Sequence, residues 1–535
     1  MDLSLASFTH IIIGAGSAGC LLANRLSASS KNEILILEAG DWDDNFWLKL
    51  PVGYFRSINN PRVSRHFATE PGAGTAGRSI DWPRGRVIGG SSSINGLIFI
   101  RGQRENFDNW EKLGNNGWSY DDVLPYFRKL ENFSGPKSQY HGSFGELQVS
   151  ELRNSHPYCA AWLSAASELG LARNNDFNGE TTSGVGGYQL SIGKRWRSSA
   201  SSAFLKPALA RKNVTVLTNT VVEKILIKNR VAVGVRILRE GKKDDIKASV
   251  ETIVCAGAIQ SPQLLQLSGI GPGKLLSKLG LDVIIDRPSV GGNLQDHYQM
   301  RTIVRMRDKG SLNNAIRNPI ELTKMGMDWL FRGRGSLTVG AGQVGGAAHT
   351  EHAPTNYPDI QFNVMPLSVD KPGEPLHGYS GFTAAVWQCH PESRGRIDIT
   401  SSDPLADPMI VPNYLSHELD QKTLVAGVKM LRKIYQEKSF NKLWDEEMVP
   451  GSNVQTDEGI LNAACKGGGT VYHCVGTCRM GIDKDAVVDP QLCVRGVERL
   501  RIVDASIMPT ITSANTNAPT YMIAEKAADM IISRK

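Results

Sequence analysis

The stretch FTHIIIGAGSAGCLLANRL, residues 8–26, decides the fold. Phe8 to Ile13 is a short β-branched run and reads as a strand. A tight glycine turn follows, and the apolar residues beyond it take helical spacing. Glycine is common, so this pattern carries weight only in context. The context is present: a strand before, a helix after, and a second strand, EILILEAG (33–40), ending in an acid. Gly14 permits the turn, Gly16 lets the backbone approach a pyrophosphate, and Gly19 lets helix and strand pack closely. Amides at the helix start, from Ser17 onward, then face the phosphates. Glu38, with Ala39 beside it, is spaced to accept hydrogen bonds from an adenosine ribose. No Arg or Lys stands at the Glu38 tip, which disfavours a phosphorylated ribose. On these residues NAD and FAD are equal candidates, and the plain competitor is a glycine turn with no ligand.

Outward from that turn, the chain of 535 residues is too long for one simple core and implies two or three domains. A hydrophobic content of 41% with 54 glycines and 25 prolines describes a globular protein rich in turns. Lys and Arg exceed Asp and Glu by 60 to 53 and are scattered, which excludes the basic arms of a nucleic-acid binder. Of eight cysteines, Cys20 and Cys255 lie within apolar segments, which points to a reducing compartment rather than a disulfide framework. Met1 to Ser7 carries no basic start, and no apolar run approaches the about 20 residues of a membrane span. The expectation is a cytoplasmic protein, at most peripheral to the inner membrane.

Three further segments bear on function. DWPRGRVIGGSSSINGLIFIRG (81–102) gathers small residues able to lie against a flat ligand, though a plain loop would read the same way. TIVCAGAIQSPQLLQLSGIGP (252–272) repeats strand, turn and helix, with the helix expected from about Ser261. VTVLTNTVVEKILI (214–227) reads as strands, with Val222 placed to meet an adenine. Near the other end stands YHCVGTCRMG (472–481). Its single His473 with Cys474 and Cys478 lacks the spacing of common zinc sites, and the cysteines are not the Cys-x-x-Cys of redox pairs. No metal is expected. That leaves a satisfied core histidine or one acting on something bound elsewhere.

Together these pieces resemble the glucose–methanol–choline (GMC) oxidoreductases along nearly the full chain. GRVIGGSSSING (85–96) and GAIQSPQLLQLSGIG (257–271) look like the two family signatures. VGGNLQDH (290–297), HPESRGRI (390–397) and RIVDASIMPTITSANTNAPTYMIAEKAADMI (501–531) are also family-like. The resemblance implies an α/β, two-domain architecture: a Rossmann-like FAD-binding domain and a substrate domain built on an antiparallel sheet. The implied division is 1–300 for FAD binding, with a substrate-domain excursion near 155–200, then 301–464 for substrate and 465–535 returning to FAD. Besides the glycine turn and Val222, it assigns Arg86, Val87, Gly90, Ser91, Asn95, Gly96, Asp504, Ala505, Asn517, Pro519 and Thr520 to the cofactor. Asn517 is expected to cap the last helix and Pro519 to fit its first turn. The helix start would face the flavin's pyrimidine end, its partial positive charge favouring the reduced anion. Ile94 stands where some relatives tether FAD through histidine, so FAD is expected to be non-covalent.

The resemblance also makes His473 the catalytic base and Asn515 its partner. Oxidising an alcohol removes a hydride, a task for the cofactor, and a hydroxyl proton, which needs a positioned acceptor such as imidazole. An amide cannot be a base, but it can donate a hydrogen bond to a developing alkoxide. Val471 and Tyr472 are placed in the substrate pocket. So are Gln343 and Asn363, where choline-specific relatives carry ionisable groups, and an unpaired quaternary cation is costly to bury. The expected substrate is therefore an uncharged primary alcohol oxidised to an aldehyde, with a quinone, a redox carrier or oxygen as acceptor. The alternatives are a choline dehydrogenase and, from another class, a hydroxynitrile-type lyase carrying FAD.

Overall fold

The computed structural model describes residues 8–353 and 357–533, so Met1–Ser7 lies outside the described residues. Two seven-stranded sheets organise the chain. In the first, parallel strands Phe8–Ile13, Ile34–Leu37 and Val214–Leu217 run side by side, in register from Ile13 through Leu37 to Leu217. Ile34–Leu37 is wholly buried, as a strand covered on both faces must be.

The strand Lys242–Val254 joins two kinds of pairing. Its last residues lie parallel to Phe8–Ile13 and to Leu500–Ile502, which returns from the far end of the chain. Its first residues pair antiparallel with Val231–Arg239, which in turn pairs with Val221–Lys228. The helices Ser17–Leu26 and Asn517–Ile532 pack on this sheet within one apolar core.

The second sheet is antiparallel in every pairing, in the order Trp444–Val449, Tyr298–Met306, Gly381–Gln388, Ile360–Met365, Val344–Ala348 and Gly184–Gly187. Gly184–Gly187 comes from the 155–200 excursion, and Gly469–Thr470 pairs with the start of Tyr298–Met306. The helix Glu418–Gln436 covers the sheet, its Gly427 seated against Val386. The fold is thus α/β, with a mixed sheet whose parallel part is Rossmann-like beside an antiparallel one.

Two helix starts differ from the expectation. The helix expected from Ser261 begins at Gly257, four residues earlier. Its cap comes from 247 positions away: Asp504 accepts from the Gly257 amide (2.9 Å) and the Ser261 hydroxyl (2.5 Å). Pro262 lies inside this helix and cannot donate to the Ala258 carbonyl, and Thr477 Oγ1 donates there instead (2.7 Å). The last helix has Thr516, not Asn517, at its N-cap. Asn517 is already helical because its Oδ1 is drawn to the Ser17 hydroxyl, which donates to it at 2.7 Å. Among the described residues no helix is long and apolar enough to cross a membrane.

Candidate active site

One large cavity, about 380 Å³, runs from the glycine turn to His473 between the two sheets. At the first end lie Gly14, Gly16 and Ser17, then Glu38 and Ala39, with Val222 opposite. Gly14 has φ +100°, and a β-carbon there would sit 2.5 Å from the Cys255 carbonyl oxygen. Gly90 has φ +53°, and its β-carbon would sit 2.7 Å from Gly16 Cα. Both turns can form only with glycine. Glu38 is buried, with its carboxylate accepting from the amides of Ala15 and Gly40, both at 2.9 Å. Burial pushes its pKa up, opposed by those amides. A carboxylate with two amide donors keeps lone pairs for ribose hydroxyls. Glycine backbone, exposed helix amides and this acid together form a cradle of the chemistry a dinucleotide requires.

Arg86, Gly90, Ser91, Ile94, Asn95, Gly96, Asp504, Ala505, Asn517 and Thr520 also line the cavity. Asn95 Oδ1 accepts from the buried Arg197 Nη1 at 2.7 Å. Gly96 is required because a β-carbon there would meet Ala341 Cβ at 2.3 Å. Asp504 is fully engaged by Gly257, Ser261 and Ser506. Three expected cofactor residues do not reach the wall. Gly19 stands behind the turn, with no room for a β-carbon beside the Gly14 carbonyl. Val87 is buried beneath with Leu48, Val63 and Ile94, and Pro519 lies one step inside its helix.

At the second end His473 and Asn515 converge: Asn515 Nδ2 lies 2.9 Å from His473 Nε2. His473 is 6% exposed and is held on three sides. Its amide donates to Asp296 Oδ1 (2.7 Å), while Asp296 Oδ2 takes the hydroxyls of Thr470 (2.6 Å) and Tyr414. Tyr472 before it has φ +66°, a left-handed conformation costly for a bulky residue. Hydrogen bonds hold that turn: Thr470 Oγ1 accepts from its amide (2.6 Å) and Arg84 Nη1 donates to its carbonyl (2.9 Å).

The third contact of His473 is a second imidazole that the sequence reading did not single out, with Nδ1 of His297 2.9 Å from Nδ1 of His473. The far nitrogen of His297 faces the Cys389 carbonyl at 2.9 Å, which can only accept. His297 Nε2 must therefore carry a proton. Burial holds its pKa down to about 3, so the ring is neutral and its Nδ1 is an acceptor. His473 consequently carries its proton on Nδ1 and presents the Nε2 lone pair toward Asn515 and the cavity. Burial, then His297, then Arg84 hold its pKa well below the ordinary 6.5. The segment VGGNLQDH contains His297 and was legible as a motif, but nothing in it signals a partner 176 residues away.

Of the expected substrate residues, Val471, Tyr472 and Asn363 line the cavity. Gln343 does not. Its Oε1 accepts from the His156 amide (3.0 Å). Arg84, Arg301, Gln299, Trp387, Met365 and Val369 complete this end. Cys474 contacts Arg84 and, like Cys20, Cys159, Cys255, Cys389 and Cys478, is buried. No cluster of three metal-ligating side chains occurs among the described residues.

Family models of the GMC oxidoreductases match residues 8–299 and 391–524. The chain is 39% identical to the alcohol dehydrogenase [acceptor] of Pseudomonas putida, over 98% of this chain and 96% of that protein. It is 38% identical to the mitochondrial choline dehydrogenase of Homo sapiens, over 98% and 89%. Among solved structures, pyridoxine 4-oxidase from Mesorbium loti superposes with TM-score 0.88 at 28% identity, covering 98% of both chains. An FAD-dependent oxidoreductase from Chaetomium thermophilum superposes with TM-score 0.90 at 26% identity, covering 98% and 99%.

Proposed function

The chain belongs to the GMC oxidoreductase family, and from that footing we propose that it oxidises an uncharged primary alcohol to its aldehyde, with His473 as base and Asn515 orienting the substrate oxygen. It is an FAD-dependent oxidoreductase acting on CH–OH donors. FAD, when bound, supplies the electrophilic ring that takes the hydride.

The observation carrying the reading is the 2.9 Å approach of Asn515 to His473 at the cavity wall. In the proposed complex a carbinol hydroxyl takes the place of that bond, donating to His473 Nε2 and accepting from Asn515 Nδ2. Accepting the proton at Nε2 leaves His473 Nδ1–H bonded to His297, so no tautomer has to change during the step. The amide donor meanwhile faces the developing alkoxide.

The cavity end beside His473 is walled by Trp387, Met365, Val369 and Tyr472 together with two cations, Arg84 and Arg301. The carboxylates lining the cavity, Glu38 and Asp504, are both bonded to backbone amides. A quaternary ammonium would find no counter-charge there. This weighs against choline, which the resemblance to choline dehydrogenases at 37–39% identity keeps as the second reading.

The remaining proposals follow the same reading. FAD is held without a covalent bond, because Ile94 offers none, and its acceptor is a quinone, a redox carrier or oxygen. The FAD-binding part is 1–300, with a substrate-part excursion near 155–200, together with 465–535, and the substrate part is 301–464. The six cysteines packed in the interior as buried thiols fit a cytoplasmic location.

The test is anaerobic titration of the holoenzyme with choline, alkanols and benzylic alcohols. An uncharged primary alcohol should discharge the yellow flavin band and choline should not. Bleaching by choline alone would replace the reading with the second one. A flavin left oxidised while a cyanohydrin is cleaved would make the protein a lyase.

A further inference from the structure

The segment Pro319–Arg332 forms two successive helical stretches in which no residue is buried, yet it carries Ile320, Leu322, Met325, Met327, Trp329, Leu330 and Phe331. Ile320 is 67% exposed and Phe331 76%, with Met327 at 50% between them. Ile320 and Met327, seven residues apart on the first stretch, share one stripe at 100° per residue, and Phe331 follows in the wider second stretch. The stripe continues into an aromatic cluster. Trp329 packs edge-on against Trp196 (4.9 Å between centroids) and Phe46 (6.2 Å), and Phe46 meets Trp47 (5.8 Å). Phe46, Trp47 and Trp196 are themselves exposed. A contiguous apolar face of this kind on a folded protein marks a contact surface.

The charge around the helical stretch is basic, while the exposed Asp41 and Asp44 stand beside Phe46 and Trp47. Within 316–334 stand Arg317, Lys324, Arg332 and Arg334 against Glu321 and Asp328, and both acids are already paired, with Lys324 (2.7 Å) and Arg332 (3.0 Å). Arg195 and Arg153 donate to carbonyls of Leu330 and Gly333, and the Arg56 guanidinium lies 4.7 Å over the Trp47 ring. Exposed leucine, isoleucine and phenylalanine, tryptophans at the rim and a basic surround match an anionic bilayer surface. A second copy of the chain would bring the same basic groups face to face across a two-fold axis.

We infer that the face formed by Pro319–Arg332 with Phe46, Trp47 and Trp196 seats the protein on an anionic lipid surface, without spanning it. The underside of the segment is continuous with the cavity wall. Met325 packs in one apolar cluster with Phe55, Met365 and Val369, and those three line the cavity. Docking therefore sets the lipid beside the substrate end, while the surface itself does not depend on which alcohol is oxidised.

The experiment is co-sedimentation of the holoenzyme with vesicles of phosphatidylcholine alone or with roughly one-third phosphatidylglycerol. The wild type should pellet with the anionic vesicles at least about tenfold more than with the neutral ones and be released by salt. The double variant Ile320→Glu with Phe331→Glu should stay in the supernatant while keeping its flavin spectrum and turnover on a soluble alcohol. Should that variant misfold, Arg317→Glu with Arg334→Glu is to lose anionic binding instead. A wild type that ignores both vesicles, or variants that pellet undiminished, overturns the inference. So does a lipid-free wild-type dimer that the first variant dissolves, since the face would then belong to a second copy.

Discussion

The two ends of the cavity are built on different plans. The glycine-turn end is largely local: Gly14, Gly16, Ser17 and Glu38 fall within one strand–turn–helix–strand passage, closed from farther along the chain by Gly90 and Cys255. The His473 end, where the alcohol is proposed to bind, is assembled from afar. His473 meets His297 across 176 residues and Asn515 across 42, and His297 is fixed by a carbonyl 92 residues onward. The first end is therefore sensitive to backbone shape and the second to side-chain hydrogen bonding. Substitutions at the two ends should fail in different ways.

The largest effect is expected at the local end. Gly90→Val places a β-carbon 2.7 Å from Gly16 Cα at a residue with φ +53°, and the protein should purify without flavin absorbance. Gly72→Ala, an extended glycine with nothing within 4 Å of the added carbon, should keep it. At the assembled end flavin should stay and rates should fall. Asn515→Leu removes the donor to the substrate oxygen and should slow anaerobic flavin reduction by about 10²–10³-fold. His297→Leu should cost about 100-fold by freeing the His473 ring. His297→Gln, which can still donate to Cys389 and accept from His473, should recover most of that loss. Equal losses in Leu and Gln would reduce His297 to a packing role.

The smallest effect is on stability. His297 is buried and His390 half-buried, and desolvation holds their pKa values down to about 3 and about 4 from 6.5. The unfolded chain therefore binds more protons than the folded one between those values and 6.5. Stability from this source is full above pH 6.5 and is lost as pH falls, by about 2 kcal/mol for each group at pH 5. The melting midpoint should drop by several degrees from pH 7 to pH 5, and His390→Gln should flatten that dependence. A midpoint indifferent to pH over this range would mean the rings are not buried neutral.

What was legible in the sequence follows the same division. The glycine turn could be read because its strand, helix and acid are contiguous in the chain, although the carbonyl that crowds Gly14, that of Cys255, is remote. His473 and Asn515 were found through the resemblance to a family, and spacing alone would have left them unconnected. His297 was missed because its role exists only once two distant segments meet. The start of the Gly257–Leu267 helix was displaced for a related reason, since its cap, Asp504, is remote. Gln343 was expected in the pocket, but its side chain is taken by the His156 amide, a contact no local pattern announces. The exposed face of Pro319–Arg332 was likewise invisible, because its apolar residues look like core until the fold leaves them uncovered.

The central claim is that a neutral His473, its lone pair held toward the cavity, takes the proton of the alcohol. Its most direct test is single-turnover reduction of bound flavin in His473→Ala by the best uncharged alcohol, without oxygen. The account predicts a protein as yellow as the wild type whose flavin is reduced about 10²–10⁴-fold more slowly. Reduction at the wild-type rate in that variant would contradict it.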